Sequence, residues 1–476
     1  LGKVKVGVGR INITVDILAN KVLYDENNQL AIKVNCQSPH SATLSLNGYK
    51  HSMVLYVSYA IALNQKMIIQ NPPLVEDTYV FCDIINELGG EAYIDKGKFV
   101  IDPTNIHVSQ IPRNLSKLIH GSVYLMPALV MRLGKFTFYE AGGCRIGGAK
   151  ENEERSIHHL IDIMKRFGVI ITTDGDCISG MRSADIIIPK IDILRYSTQT
   201  EYLAGPLVGG AVKAAVLMSL FQDSIEIQNP YLKTDILDLL CLVQKSGRLV
   251  SFDSDRIIIK NRAKASSDYL SISLTQCISE IVTYSALAII NNVQVRFIGL
   301  DRTIVAKGLQ AEFELFDKMN IQYKWDKNDL IIYDNQQIKS QDIIVTPHGI
   351  QSDHQAFFAL LLLYGDKRST IYEQVYTERF FYLNNFIQLG AKITRQDNSI
   401  HIVPSTFSSG SKELFGHDVR TAAATLIACT ASRQECILYD CNHLLRGYDA
   451  LQEKFEAFGI ELDFWMVNNN AGFIDT

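Results

Sequence analysis

"FIQLGAKITRQDNSIHIVP" (386–404) closes one helix and lays down two strands. An apolar helical period runs into Gly390, and glycine tolerates the left-handed conformation that closes a helix. A short strand follows, Asp397 and Asn398 turn the chain, and a second strand leaves. The same pattern recurs as "INELGGEAYIDKGKFVID" (85–102), "MKRFGVIITTDGDCISG" (164–180), "VQKSGRLVSFDSDRIIIKN" (243–261) and "FDKMNIQYKWDKNDLIIYD" (316–334), with a truncated sixth copy, "FEAFGIELDF" (455–464). The turn residues are Gly90, Gly168, Gly247, Asn320, Gly390 and Gly459, spaced by 69 to 79 residues. The helix before Gly168 shows its period plainly, with Ile157, Leu160, Ile161, Met164 and Phe167 on one face. This spacing is too long for a solenoid and suits a compact unit of two helices and three or four strands. Six such units predict an α/β protein of two domains, three units each, with ligands bound in the cleft between them.

The bulk numbers agree with a multidomain globular chain. There are 476 residues, 47% hydrophobic and 20% charged. A net charge of −5 lacks the basic footprint of a nucleic-acid binder. The longest apolar run, "AFFALLLLY" (356–364), is too short to span a bilayer and reads as a buried helix. No signal-peptide pattern opens the chain. Nine cysteines lie scattered with no C-x-x-C pair, which predicts neither a disulfide framework nor a zinc site, and a reducing, cytoplasmic compartment.

"EAGGCRIGGAK" (140–150) is nearly a phosphate-binding loop. Gly143 and Gly148 have the right spacing, but Ala149 stands where the lysine is needed. The loop is read instead as a mobile lid with a cysteine at its centre. Arg145, Lys150 and Arg155 surround Cys144 in sequence and favour its thiolate.

Taken in order along the chain, these and other segments resemble the enolpyruvyl transferase family, from about Ile32 onward. The closer branch is the UDP-N-acetylglucosamine carboxyvinyltransferases. "LNGYKHS" (46–52), "GGCRIGG" (142–148), "RSIHHL" (155–160), "QSDHQAFFALLLL" (351–363), "VYTERF" (375–380), "GHDVRTAAATLIA" (416–428) and "LLRGYDALQEKFEAFG" (444–459) carry the resemblance. It implies two inside-out α/β domains, each of three repeated βαβαββ-type units, with the active site between them. Their expected extents are 46–264, with the Cys144 lid, and 1–45 plus 265–476, with Asp353, Arg420 and Arg446. It implies phosphoenolpyruvate bound by Lys50, Arg155, Arg420 and Arg446, and Cys144 as a reactive acid open to fosfomycin-type alkylation. Asp353 becomes the acceptor-facing carboxylate, with helix N-capping as its ordinary alternative role. Asp418, Val208, Gly209, Val375 and Tyr376 fall at acceptor contacts. No cofactor or metal is implied, and the expected state is a monomer or weak homo-oligomer.

The departures from the family pattern gather on the acceptor side. His51 replaces an asparagine and His120 an arginine, and the two are read as contacts to an acceptor phosphate. About 15 residues are inserted between Lys190 and Val208, and roughly six lengthen the cysteine loop. His158 and His159 read as surface residues. The implied activity is transfer of the enolpyruvyl group to a hydroxyl of a uridine nucleotide with release of phosphate. The family default acceptor is UDP-N-acetylglucosamine; uridine monophosphate in nucleoside-antibiotic biosynthesis is the alternative. A non-catalytic regulator that binds sugar nucleotide is a third reading, and retention of Lys50, Cys144, Asp353, Arg420 and Arg446 argues against it.

Overall fold

A computed structural model describes residues 28–35, 38–143, 146, 156–183, 188–261, 269–408 and 413–468. The quoted stretch forms the helix Tyr382–Gln388 and the strands Lys392–Gln396 and Ser399–Val403, paired antiparallel in continuous register. Gly390 has φ 109°, and the N–H of Ala391 reaches back to Phe386 O at 2.9 Å. That bond closes the helix in a Schellman motif. Gly168, Gly247, Asn320 and Gly459 are likewise at positive φ. In the first copy the left-handed residue is Gly89, φ 95°, rather than Gly90. Gly90 is instead the next residue of the motif, its N–H bonded to Ile85 O at 3.0 Å.

Hairpins also form from Glu91–Asp95 and Lys98–Asp102, Val169–Asp174 and Cys177–Arg182, Leu249–Phe252 and Arg256–Lys260, and Tyr323–Asp326 and Asp329–Ile332. The truncated sixth copy is completed from the other end of the chain. Its strand Glu461–Asn468 pairs antiparallel with Asn28–Asn35 along its whole length. The order Glu413–Phe415, Cys436–Tyr439, Asn28–Asn35, Glu461–Asn468 therefore repeats the order Ile343–Val345, Ser369–Glu373, Ser399–Val403, Lys392–Gln396. In the sheet of Lys135–Phe138, Cys177–Arg182 and Val169–Asp174, a lone parallel bridge between Gln110 and Thr137 stands where the other sheets have a fourth strand.

The sheets enclose two hydrophobic cores. One is built from residues between Met53 and Leu274, the other from Leu30 to Tyr49 and from Cys277 to Leu462. Helices occupy the centres: all of Ile278–Ile290 and all of Gln355–Leu363 are buried. A helix apolar on every side needs neighbours all round it. Strands at the periphery alternate instead, as Ala42–Ser45 does. Tyr269–Ile272, beyond the boundary expected at 264, pairs in parallel with Lys66–Ile69 in a sheet of the first core.

The chain passes between the cores twice, and the two passages lie side by side. Gly48 bridges Gln276, Tyr49 N–H donates to Thr275 O at 2.8 Å, and Cys277 N–H donates to Asn47 O at 2.9 Å. A Cβ at Gly48 would sit 2.6 Å from both Asn71 O and Leu274 Cβ, so only glycine fits where the strands cross. Lys50 follows two residues later and lines a cavity between the cores.

Candidate active site

The cavity has a volume of about 370 Å³. Its polar lining falls into three groups.

Lys50 opens the helix Lys50–Leu63 and Arg446 ends the short turn Asn442–Arg446. Lys50 Nζ donates to Arg446 O at 2.7 Å and lies 3.2 Å from Asp77 Oδ2, while Arg446 Nε lies 3.2 Å from Asp77 Oδ1. Asp77 sits in the first turn of Glu76–Glu87, where the helix dipole favours an anion. Burial alone would raise its carboxyl, but Lys50 and Arg446 outweigh that and hold it below the ordinary value. Glu76, 3.8 Å from Arg446, is pushed up to about 7 by burial, which Arg446 only partly offsets.

Asp353 is the second centre. Arg379 Nη1 lies 2.6 Å from its Oδ1 and Arg420 Nη2 3.0 Å from its Oδ2. Burial opposes ionisation, yet the two guanidinium groups hold this carboxyl well below its usual range. It does not cap the helix that follows; that helix, Gln355–Leu363, has no side-chain cap. The capping role belongs to Asp418, which accepts from the N–H of Arg420 at 2.9 Å and also binds Thr421. Asp418 lines the cavity, but its carboxylate is engaged in aiming Arg420, whose Nη1 donates to Tyr448 Oη at 3.0 Å. Val375 and Tyr376 line the wall nearby, their N–H groups held by Glu373 Oε1 at 2.8 and 3.0 Å.

In the third group His51 was expected, whereas Lys213 and Asp235 escaped the sequence reading. Lys213, on the helix Val208–Ser219, pairs with Asp235 at 2.6 Å. His51 and His159 line the same wall. Burial and the nearby Lys213 charge push His51 down to about 3 and His159 to about 4, so both are neutral. His158 is exposed as expected, but His159 is 7% exposed and tucked over Gly210, where a Cβ would lie 2.1 Å from its Nε2. Its Nδ1 has no hydrogen-bond partner among the described residues.

His120 and Gly209 line the cavity, whereas Val208 is fully buried behind it and does not. The start of the glycine loop rests on the segment that carries His120. A Cβ at Gly142 would lie 1.7 Å from Lys117 O, and one at Gly143 would lie 2.9 Å from His120 Cβ. These glycines are thus required by close approach as well as by any need to move. Cys144 and Arg155 lie outside the described residues. Arg379 stands in the "VYTERF" segment, which sequence reading had marked only at Val375 and Tyr376. Lys213 had a signal of its own: one cation in an otherwise apolar helix.

Three groups of cations, each paired with a carboxylate, thus face one cavity. Such a site suits a small polyanion and a hydroxyl-bearing partner. Residues 34–455 match the family model described as EPSP synthase (3-phosphoshikimate 1-carboxyvinyltransferase). The UDP-N-acetylglucosamine 1-carboxyvinyltransferase of Kosmotoga olearia is 23% identical over 425 residues, covering 88% of this chain and 95% of that protein. Its counterpart from Clostridium perfringens is 24% identical, covering 88% and 96%. Among solved structures, the enolpyruvyl transferase NikO from Streptomyces tendae aligns with a TM-score of 0.84 at 25% identity, covering 92% of this chain and all of that one. EPSP synthase from Acinetobacter baumannii aligns at 0.64 and 13% identity over 92% and 99%, a likeness of fold.

Proposed function

The chain belongs to the EPSP synthase family and is an enolpyruvyl transferase, and on that premise we propose that it moves the enolpyruvyl group of phosphoenolpyruvate to a hydroxyl of a uridine nucleotide. The observation that carries this reading is the convergence of Lys50 and Arg446, one from each core, on a single carboxylate in the cavity wall. Phosphoenolpyruvate brings a phosphate and a carboxylate, and a site for it needs cations in fixed geometry. Lys50 and Arg446 supply two, with Arg155 a third; Arg420, the fourth expected cation, is paired with Asp353.

Asp353 orients the acceptor hydroxyl. A carboxylate held ionised by Arg379 and Arg420 accepts a hydrogen bond from that hydroxyl and draws its proton away as the oxygen attacks. The new C–O bond forms at the carbon bearing the phosphate while a proton, from Cys144 in this reading, reaches the methylene carbon. The tetrahedral ketal then returns one proton of the new methyl group to the Cys144 thiolate and loses phosphate, restoring the double bond. Glu373 and Asp418 keep the surrounding backbone and Arg420 in place.

The fold details expected from the repeats belong to the same proposal: two inside-out domains of three units, meeting near Gly48 and Gln276. No helix among the described residues is long and apolar enough to cross a membrane. The test is phosphate release on mixing the enzyme with phosphoenolpyruvate and uridine nucleotides. Release with phosphoenolpyruvate only when a nucleotide is present supports the reading. Absence of release with every uridine nucleotide defeats it.

A further inference from the structure

Between the strand Lys190–Asp192 and the helix Val208–Ser219 runs the segment that the sequence marks as an insertion. It is a built structure rather than a slack connection. Asp192 caps its opening turn, Ile193–Tyr196, by accepting from Leu194 N–H. Tyr196 Oη anchors the turn to Asp162 at 2.6 Å. The rest folds around Ser197, whose Oγ donates to Tyr202 O at 2.9 Å and accepts from Ala204 N–H at 2.7 Å. Gly205, at φ 85°, fits because a Cβ there would strike Thr198 at 2.7 Å.

From this fold the segment crosses to the other core. Gly205 N–H donates to Gln374 O at 3.1 Å and Tyr202 Oη to Gln374 Oε1 at 3.3 Å. Gln374 directly precedes Val375 and Tyr376 in the cavity wall. Gly205, Pro206 and Leu207 line the cavity themselves and lead into the helix whose first turn carries Gly209 and Gly210. We propose that this segment is an interdomain strap that selects a compact acceptor, a nucleotide ending at its phosphate, over one extended beyond that phosphate by a sugar. The inference rests on the transferase reading above.

The physical reason is position. The first-turn N–H groups of Val208–Ser219 and the Lys213 ammonium, which lines the cavity beside them, together favour an anion at that wall. A phosphate seated there has the strap beside it. A further sugar must displace the strap, breaking both bonds to Gln374 and exposing Leu203, which is 4% exposed. A terminal phosphate displaces nothing. The strap also fixes the spacing of the two walls, so the cleft is shaped before ligand arrives.

The experiment compares wild type with a variant in which residues 198–205 are replaced by three glycines, and with the Tyr202→Phe/Gln374→Ala double variant. Phosphate release is measured with phosphoenolpyruvate and either uridine monophosphate or UDP-N-acetylglucosamine. Wild type should favour the monophosphate at least tenfold in kcat/KM. The strap replacement should lower that ratio tenfold or more, and the double variant two- to fivefold. An unchanged ratio in the replacement, or a wild-type preference for the sugar nucleotide, overturns the proposal. Should wild type release phosphate with neither nucleotide, the transferase reading fails, and calorimetric binding judges the strap alone. Preference for the monophosphate lost on replacement upholds it; equal or absent binding in wild type overturns it.

Discussion

Lys50 Nζ donates to the backbone carbonyl of Arg446 at 2.7 Å, although 396 residues separate them. The bond ties the helix Lys50–Leu63 of one core to the short turn Asn442–Arg446 of the other, with Asp77 paired to both side chains. The two cations that bind substrate in our reading are therefore also a seam between the two cores. Substrate must share them with Asp77.

Lys50→Ala and Arg446→Ala should each nearly abolish turnover. Removing one partner of a charge-assisted contact in a desolvated site costs on the order of 2–5 kcal/mol, a loss of roughly 30-fold or more. Steady-state phosphate release at saturating nucleotide measures it. Turnover above a tenth of wild type in either variant would remove these residues from the phosphoenolpyruvate site.

Asp353→Asn should lose activity through misorientation of the acceptor, and stability as well, because Arg379 and Arg420 are left buried without their anion. Breaking a buried pair in this way costs about 3 kcal/mol or more. Urea unfolding gives the stability change. A variant as stable as wild type would mean that Ser352 and Tyr448 suffice to hold the two guanidinium groups.

Local signals made the repeat legible. Turn residues and strand alternation are properties of a few neighbours, and five hairpins formed from contiguous copies. The sixth hairpin was not legible because its second strand, Asn28–Asn35, lies over 400 residues away. The site divides the same way. Lys50, Asp353, Arg420 and Arg446 were found through their motifs and do line the cavity. Lys213 and Asp235 were missed because their pairing joins two helices with no motif between them. His159 was misread because nothing in "RSIHHL" reveals the notch at Gly210 that buries it.

The pH dependence of stability tests Glu76. Its folded pKa, about 7, lies above the ordinary 4.5, so the folded state holds a proton that the unfolded state releases between those values. Its contribution is fully present below pH 4.5 and is lost as pH rises through 7. His51 and His159 act oppositely: depressed to about 3 and about 4, they add stability above pH 6.5 that is lost as pH falls toward those values. The difference between wild type and Glu76→Gln isolates the carboxyl. Unfolding free energies at pH 5 and pH 8 should shift relative to each other by on the order of 3 kcal/mol between the two proteins. Parallel curves would show that Glu76 is ionised throughout.

Cys144, outside the described residues, remains testable by chemistry. A cysteine flanked by Arg145 and Lys150 should be alkylated before the other eight. Fosfomycin should inactivate the enzyme, fastest with nucleotide present, and Cys144→Asp should escape it while keeping some turnover. Mass spectrometry after brief labelling identifies the first cysteine modified. Any other cysteine in that position makes Cys144 structural.

Lys213 offers the test that separates holding the fold from holding the substrate. Its pair with Asp235 is buried, the side chains 13% and 5% exposed. Lys213→Ala leaves an unpaired carboxylate in the cavity wall and should cost about 3–5 kcal/mol of stability. Pairing it with Asp235→Ala removes the stranded charge, so the double variant should recover most of that loss. Nucleotide binding should not recover, because the ammonium facing the acceptor phosphate is still missing. Calorimetry on both variants decides the matter. If the double variant regains nucleotide affinity along with stability, Lys213 serves only to neutralise Asp235, and the acceptor phosphate is held by the helix terminus and the two histidines.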